Sequence, residues 1–107
     1  MSEPTRDPYQ VSCAGKGLKQ LKALLQRAIT LGRRTEFLTA LKDINEKLTS
    51  DPLAWGDPQF HMRQLGLLGC HAIHNFLHLF YAVDEQRRLV YVKEFLPLPH
   101  SWIVDGE

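Results

Sequence analysis

The apolar positions of this chain change period near its middle. From Leu18 onward, Leu21, Leu24, Leu25, Ala28 and Ile29 recur at spacings of three and four, the pattern of a helix that lays one side on a core. Gly32 is a natural stop for it. Thr35 can cap a second helix, in which Phe37, Leu41, Ile44 and Leu48 fall four, three and four apart, and Ser50-Asp51-Pro52 ends it because proline cannot continue a helix. Two helices joined by so short a loop are expected to pack as an antiparallel αα-hairpin. Ahead of them Tyr9–Cys13 (YQVSC) alternates like a short strand. After them LAWGDP reads as a loop, with a further strand expected over Phe60–Leu65.

Beyond Gly69 the period drops to two. The stretch GCHAIHNFLHLFYAVDEQRRLVYVKEF reads as two consecutive β-hairpins. Asn75 tolerates the positive φ of a tight turn, and a turn at His74-Asn75 pairs Ile73 with Phe76, Ala72 with Leu77, His71 with His78 and Cys70 with Leu79. Leu68, Cys70, Ala72, Leu77, Leu79 and Tyr81 then form a core face, and His71, Ile73, Phe76, His78 and Phe80 form the other. A second turn at Asp84-Glu85-Gln86-Arg87 leads into LVYVKEF, whose β-branched and aromatic content suits a strand. Pairing Leu79 with Val92 sets Lys93 beside His78. A helical reading competes, because His71, His74 and His78 are spaced i, i+3, i+7 and would line one side of a helix as metal ligands. Strand content, and the lack of an N-capping Ser, Thr or Asp before Cys70, favour the hairpin.

The order of elements defines an α+β domain: an N-terminal strand, an antiparallel αα-hairpin, then a three- to four-stranded antiparallel sheet with helices on one face. Residues 1–8 are expected to be a flexible tail, 9–96 a single domain, and 97–107 a C-terminal tail that docks on it through Trp102, Ile103 and Val104. At 107 residues the chain has room for one core and no second domain. Two cysteines without CxxC spacing exclude a disulfide framework, and Cys13 and Cys70 read as small buried residues. The start of the chain lacks the apolar segment of a signal peptide, and no apolar run approaches a membrane span. A cytoplasmic protein without membrane contact is therefore expected, and no cofactor or metal is implied by the strand reading.

Charge is balanced in sum but not in place. Thirteen Lys and Arg face twelve Asp and Glu, yet nine of the basic and only five of the acidic residues lie in positions 1–50. Lys16, Lys19, Lys22, Arg27, Arg33 and Arg34 are uninterrupted by an acid. Such a cluster suits a phosphate backbone or an acidic protein segment, and also suits an ordinary solvated helix face. Arg63, and the aromatic rings of Phe76 and Phe80 on an uncovered sheet face, extend the candidate nucleic-acid or partner-binding surface. The candidate reactive groups are His71, His78 and Lys93. Imidazole, with a reference pKa near ~6.5, donates or accepts a proton at neutral pH.

The αα-hairpin, the phrase LTSDPLAWGDP after the second helix, and FYAVDEQRRLVYV with its Tyr81-to-Asp84 step and Val90–Val92 strand together resemble the RelE/ParE superfamily of type II toxin–antitoxin toxins, which includes plasmid stabilisation proteins. The resemblance spans roughly Tyr9–Phe95. It implies a toxin that stops growth by ribosome-linked mRNA cleavage or by binding a target such as gyrase, and that is silenced by a cognate antitoxin. Arginines that many members carry on the hairpin face are replaced here, in matching phase, by His71 and His78. An endoribonuclease of this kind would rely on acid–base chemistry in place of guanidinium clamps. A degenerate member that keeps only partner binding, and a small metal-binding domain built on His71, His74 and His78, are the alternatives.

Overall fold

The computed structural model describes residues 8–62 and 65–106, apart from the side chains of residues 59, 60 and 62. In chain order the elements are β1 (Gln10–Cys13), α1 (Gly15–Thr30), α2 (Arg34–Ser50), α3 (Pro52–Trp55), β2 (Asp57–Met62), β3 (Leu67–His74), β4 (Leu77–Asp84), β5 (Leu89–Pro97) and α4 (Trp102–Asp105). Helix α1 starts three residues before Leu18. It ends in a Schellman turn: Gly32 takes the left-handed φ of 73°, its N–H donates to Ile29, and the Arg33 N–H donates to the Ala28 carbonyl. The segment read as a loop holds α3. Asp51 accepts from the Ala54 N–H at 3.3 Å, and Pro52 sits in the first turn where its missing N–H costs nothing.

The sheet has five strands in the order β1-β5-β4-β3-β2. It is mixed, not purely antiparallel, because β1 runs parallel to β5 with Gln10 opposite Leu89 and Cys13 opposite Val92. Everything from α1 to β4 lies between the two strands in the chain, more than the long connection that a parallel pair demands. The remaining pairs, β2–β3, β3–β4 and β4–β5, are antiparallel. The strand expected at Phe60–Leu65 begins three residues earlier, at Asp57.

One face of the sheet packs under the helices. Leu77, Leu79, Tyr81, Val83 and Val90 from the sheet meet Phe37, Ala40, Ile44 and Leu48 from α2 and Ala28 from α1, all at most 2% exposed. Gly17 brings α1 close over β5: a methyl group there would stand 3.0 Å from the carbonyl oxygens of Val92 and Lys93. The short helix α4 closes the end of the core with Ile103, buried to 2% exposure. Trp102 meets Phe76 edge-on at 4.6 Å. No helix among the described residues is long and apolar enough to cross a membrane.

The β3–β4 turn lies one residue later than the pattern suggested. Asn75, with φ 55°, and Phe76 make the turn, so that His74 pairs with Leu77, Ile73 with His78, Ala72 with Leu79, His71 with Phe80 and Cys70 with Tyr81. Both strands slip in step, so each residue keeps its face. Phe76 is the exception. It leaves the open face and is 5% exposed, with its ring against Phe37 at 5.8 Å and Trp102 at 4.6 Å.

Candidate functional site

The uncovered face of the sheet carries the reactive groups. His71 on β3 and His78 on β4 are diagonal neighbours: His71 stands opposite Phe80 and His78 opposite Ile73. Diagonal residues on one face remain within reach of long and aromatic side chains. His71 Nδ1 and His78 Nε2 lie 3.0 Å apart and share a hydrogen bond. Phe80 stands beside both, its ring centroid 4.6 Å from that of His78 and 6.1 Å from that of His71, to which its ring is nearly parallel at 21°. Both imidazoles are half-buried.

A carboxylate completes the row. The β2–β3 register sets Asp57 opposite His71, and Asp57 Oδ2 approaches His71 Nε2 to 4.0 Å. Sequence reasoning missed Asp57, because GDP reads as a turn and the β-bulge between Pro58 and Phe60 hides its register with β3. The only sequence signal was its place at the end of the loop that leads into a strand. Burial, followed by repulsion from His71, lowers the His78 pKa below the ordinary imidazole value. His78 is thereby favoured as a neutral base near pH 7.

The register does not set Lys93 beside this pair. A β-bulge between Phe80 and Tyr81 puts Glu94 opposite Phe80, Leu96 opposite His78 and Val92 opposite Tyr81, leaving Lys93 as the unpaired extra residue. The phase assumed by pairing Leu79 with Val92 is lost there: Leu79 faces Phe95. His74 is on the helix-covered side, where its Nε2 stands 3.4 Å from Asp43 Oδ2 on α2, without hydrogen-bond geometry. Its ring meets Trp55 edge-on at 6.4 Å. His71, His74 and His78 therefore do not converge, and no group of three or more metal-ligating side chains occurs among the described residues. Alternation along a strand separates residues that a helix would have stacked.

The basic cluster divides by role. Lys16 pairs with Glu94 at 3.2 Å. That contact, with help from Gln20, lowers the Glu94 pKa. The Arg27 guanidinium donates to the Ile103 and Val104 carbonyls at 3.0 and 3.2 Å and so satisfies groups of α4. Arg33 clamps Glu36 through Nε and Nη2, at 2.8 and 2.7 Å, and stacks 4.2 Å over the Trp102 ring. Lys19, Lys22 and Arg34 are exposed. Arg63 lies outside the described residues.

No family model matches the chain, and no curated protein matches it. A solved structure does: the chain aligns with a chain of the toxin–antitoxin complex RelBE2 from Mycobacterium tuberculosis, with a TM-score of 0.60 and 20% identity over 84% of this chain and 98% of that one. The fold is RelE-like. Identity this low speaks to architecture, and the chemistry of the RelE-like sheet face is read from its own side chains. What distinguishes that face is the Asp57, His71, His78 row beside Phe80.

Proposed function

We propose that this RelE-like protein is the toxin-like component of a toxin–antitoxin pair, and that its His71–His78 pair performs acid–base cleavage of an RNA phosphodiester. The supporting observation is the 3.0 Å contact between two half-buried imidazoles on the sheet face that no helix among the described residues covers. RNA cleavage needs a base to take the 2′-hydroxyl proton and an acid to protonate the leaving oxygen. Two linked imidazoles supply both, each having one donor and one acceptor when neutral. His78, with its lowered pKa, is the base, and His71 returns a proton. Neither group offers the fixed positive charge of an arginine. Phe80, beside both rings on the same face, adds an aromatic ring on which a base can stack.

Silencing is assigned to a cognate antitoxin. Its acidic residues would meet Lys19 and Lys22, which lie three apart on the outer side of α1. The name of the solved neighbour, a toxin–antitoxin complex, supports such a partner. Ribosome-linked mRNA is the substrate that fits the imidazole chemistry, whereas interference with gyrase would need binding alone.

Induced expression in a bacterial host tests the reading. The expected result is arrest of growth with new transcript ends, relieved by co-expression of the product of an adjacent small open reading frame. Unimpaired growth would overturn the toxin assignment for that host and leave a protein that only binds. Arrest without new transcript ends would favour a binding target such as gyrase.

A further inference from the structure

We infer that Asp57 is a positioning residue for the imidazole pair: it holds His71 in the tautomer protonated on Nε2, so that His71 Nδ1 accepts from the Nε2–H of His78 and the basic lone pair of His78 resides on Nδ1. The inference deepens the proposed acid–base reading and rests on it for its functional consequence, but the tautomers are a property of the folded protein whatever it acts on.

The argument is one of donors and acceptors. An ionised carboxylate only accepts, and a neutral imidazole carries one N–H and one bare nitrogen. Asp57 Oδ2 lies 4.0 Å from Nε2 of His71, not from Nδ1, so the favourable arrangement places the His71 proton on Nε2. Nδ1 is then an acceptor, and the 3.0 Å contact requires the hydrogen to come from His78 Nε2. The partner of a histidine's second nitrogen commonly decides which tautomer is present. Glu94, an acid that the register also places on this face, cannot compete. It stands opposite Phe80, not a histidine, and is held by Lys16 at 3.2 Å and Gln20 at 3.5 Å.

The same arrangement gives a balanced proton path. A substrate hydroxyl gives its proton to His78 Nδ1 and becomes the nucleophile. His78 is then an imidazolium and passes its Nε2 proton to His71 Nδ1. The positive charge ends on His71, beside the Asp57 carboxylate, and His78 is neutral again. No oxidant, metal or further reactant is involved. Burial disfavours a lasting cation on His78, which gives the relay its direction. Asp57 is 88% exposed, so water screens its pull, and its effect is a bias on the tautomer with little influence on stability.

Nitrogen-15 imidazole spectra of the full-length protein, wild type and Asp57→Asn, provide the test. In wild type both His71 and His78 are expected to be protonated on Nε2. In Asp57→Asn His71 should become a mixture of tautomers, and Asp57→Glu should restore the wild-type state. On the activity side, Asp57→Asn is expected to slow cleavage several-fold at unchanged thermal stability, with Asp57→Glu recovering most of it. Protonation of His71 on Nδ1 in wild type, or a His71 tautomer unaffected by Asp57→Asn, would overturn the inference. Because the spectra need no substrate, an inactive wild type would defeat the proposed function while the tautomers still decide the role of Asp57.

Discussion

Replacing Tyr81 with Phe probes how the site is held in place. Tyr81 is 1% exposed. Its hydroxyl donates to the Pro52 carbonyl at 2.6 Å, and its ring stacks on Trp55 at 6.0 Å. Burial, the largest influence, raises its pKa well above that of a free phenol, so it stays a donor across the working range of the protein. The hydrogen bond ties the middle of β4 to α3, the turn that delivers Asp57 into β2. Tyr81→Phe keeps the ring and removes only the donor, leaving the Pro52 carbonyl with the long 3.4 Å bond from the Gly56 N–H, at a cost of about 1 kcal/mol. For a domain of this size each kcal/mol corresponds to roughly 4–8 °C in Tm, and a loss of that size is expected in a thermal melt followed by circular dichroism. A parallel urea titration should show a lower midpoint with unchanged slope, as for a local loss without change in the surface exposed. A Tm within a degree or two of wild type would refute the reasoning, by showing that water reaches the Pro52 carbonyl or that α3 is not anchored through Tyr81.

Other outcomes follow from neighbouring observations. Gly56→Ala places a methyl group into the Tyr81 hydroxyl and 3.0 Å from the His71 carbonyl, and should destabilise by at least ~2 kcal/mol, read by the same melt. Trp102→Ala removes the partner of Phe76 and Arg33; with a ring only partly buried, a loss of about 2 kcal/mol and faster hydrogen exchange in α4 are expected. The lowered His78 pKa makes a pH prediction. Near and below the unfolded value of 6.5 the unfolded chain binds a proton that folded His78 resists, so stability is full above that pH and falls as pH drops through it. His78→Gln should flatten this fall relative to wild type in denaturation between pH 7 and 5, and an unchanged slope would refute the assignment.

How much of this was legible in the sequence depends on which interactions are local. The two helices and the hairpins are encoded by period and by single residues such as Gly32 and Asn75, and they occur close to where the pattern placed them. The open face was legible too, because a turn displaced by one residue moves both strands together and leaves side-chain parity intact. Phe76 was misassigned because its place is decided by Phe37 and Trp102, distant residues that turn it into the core. Lys93 was misplaced because a bulge is a single-residue insertion that no alternation pattern announces. The parallel pairing of β1 with β5 and the arrival of Asp57 beside His71 are also long-range facts. Arg27 and Arg33 looked like surface charge, yet their partners are carbonyls of α4, Glu36 and Trp102, which only tertiary packing supplies.

The most direct measurement compares growth during induced expression of wild type, His71→Gln and His78→Gln, with each protein's fold checked by circular dichroism and its transcripts mapped for new ends. Arrest with cleavage by wild type, and a loss of both in either folded variant, is the expected result. Arrest and cleavage undiminished when both imidazoles are replaced together would contradict the assignment of chemistry to the His71–His78 pair.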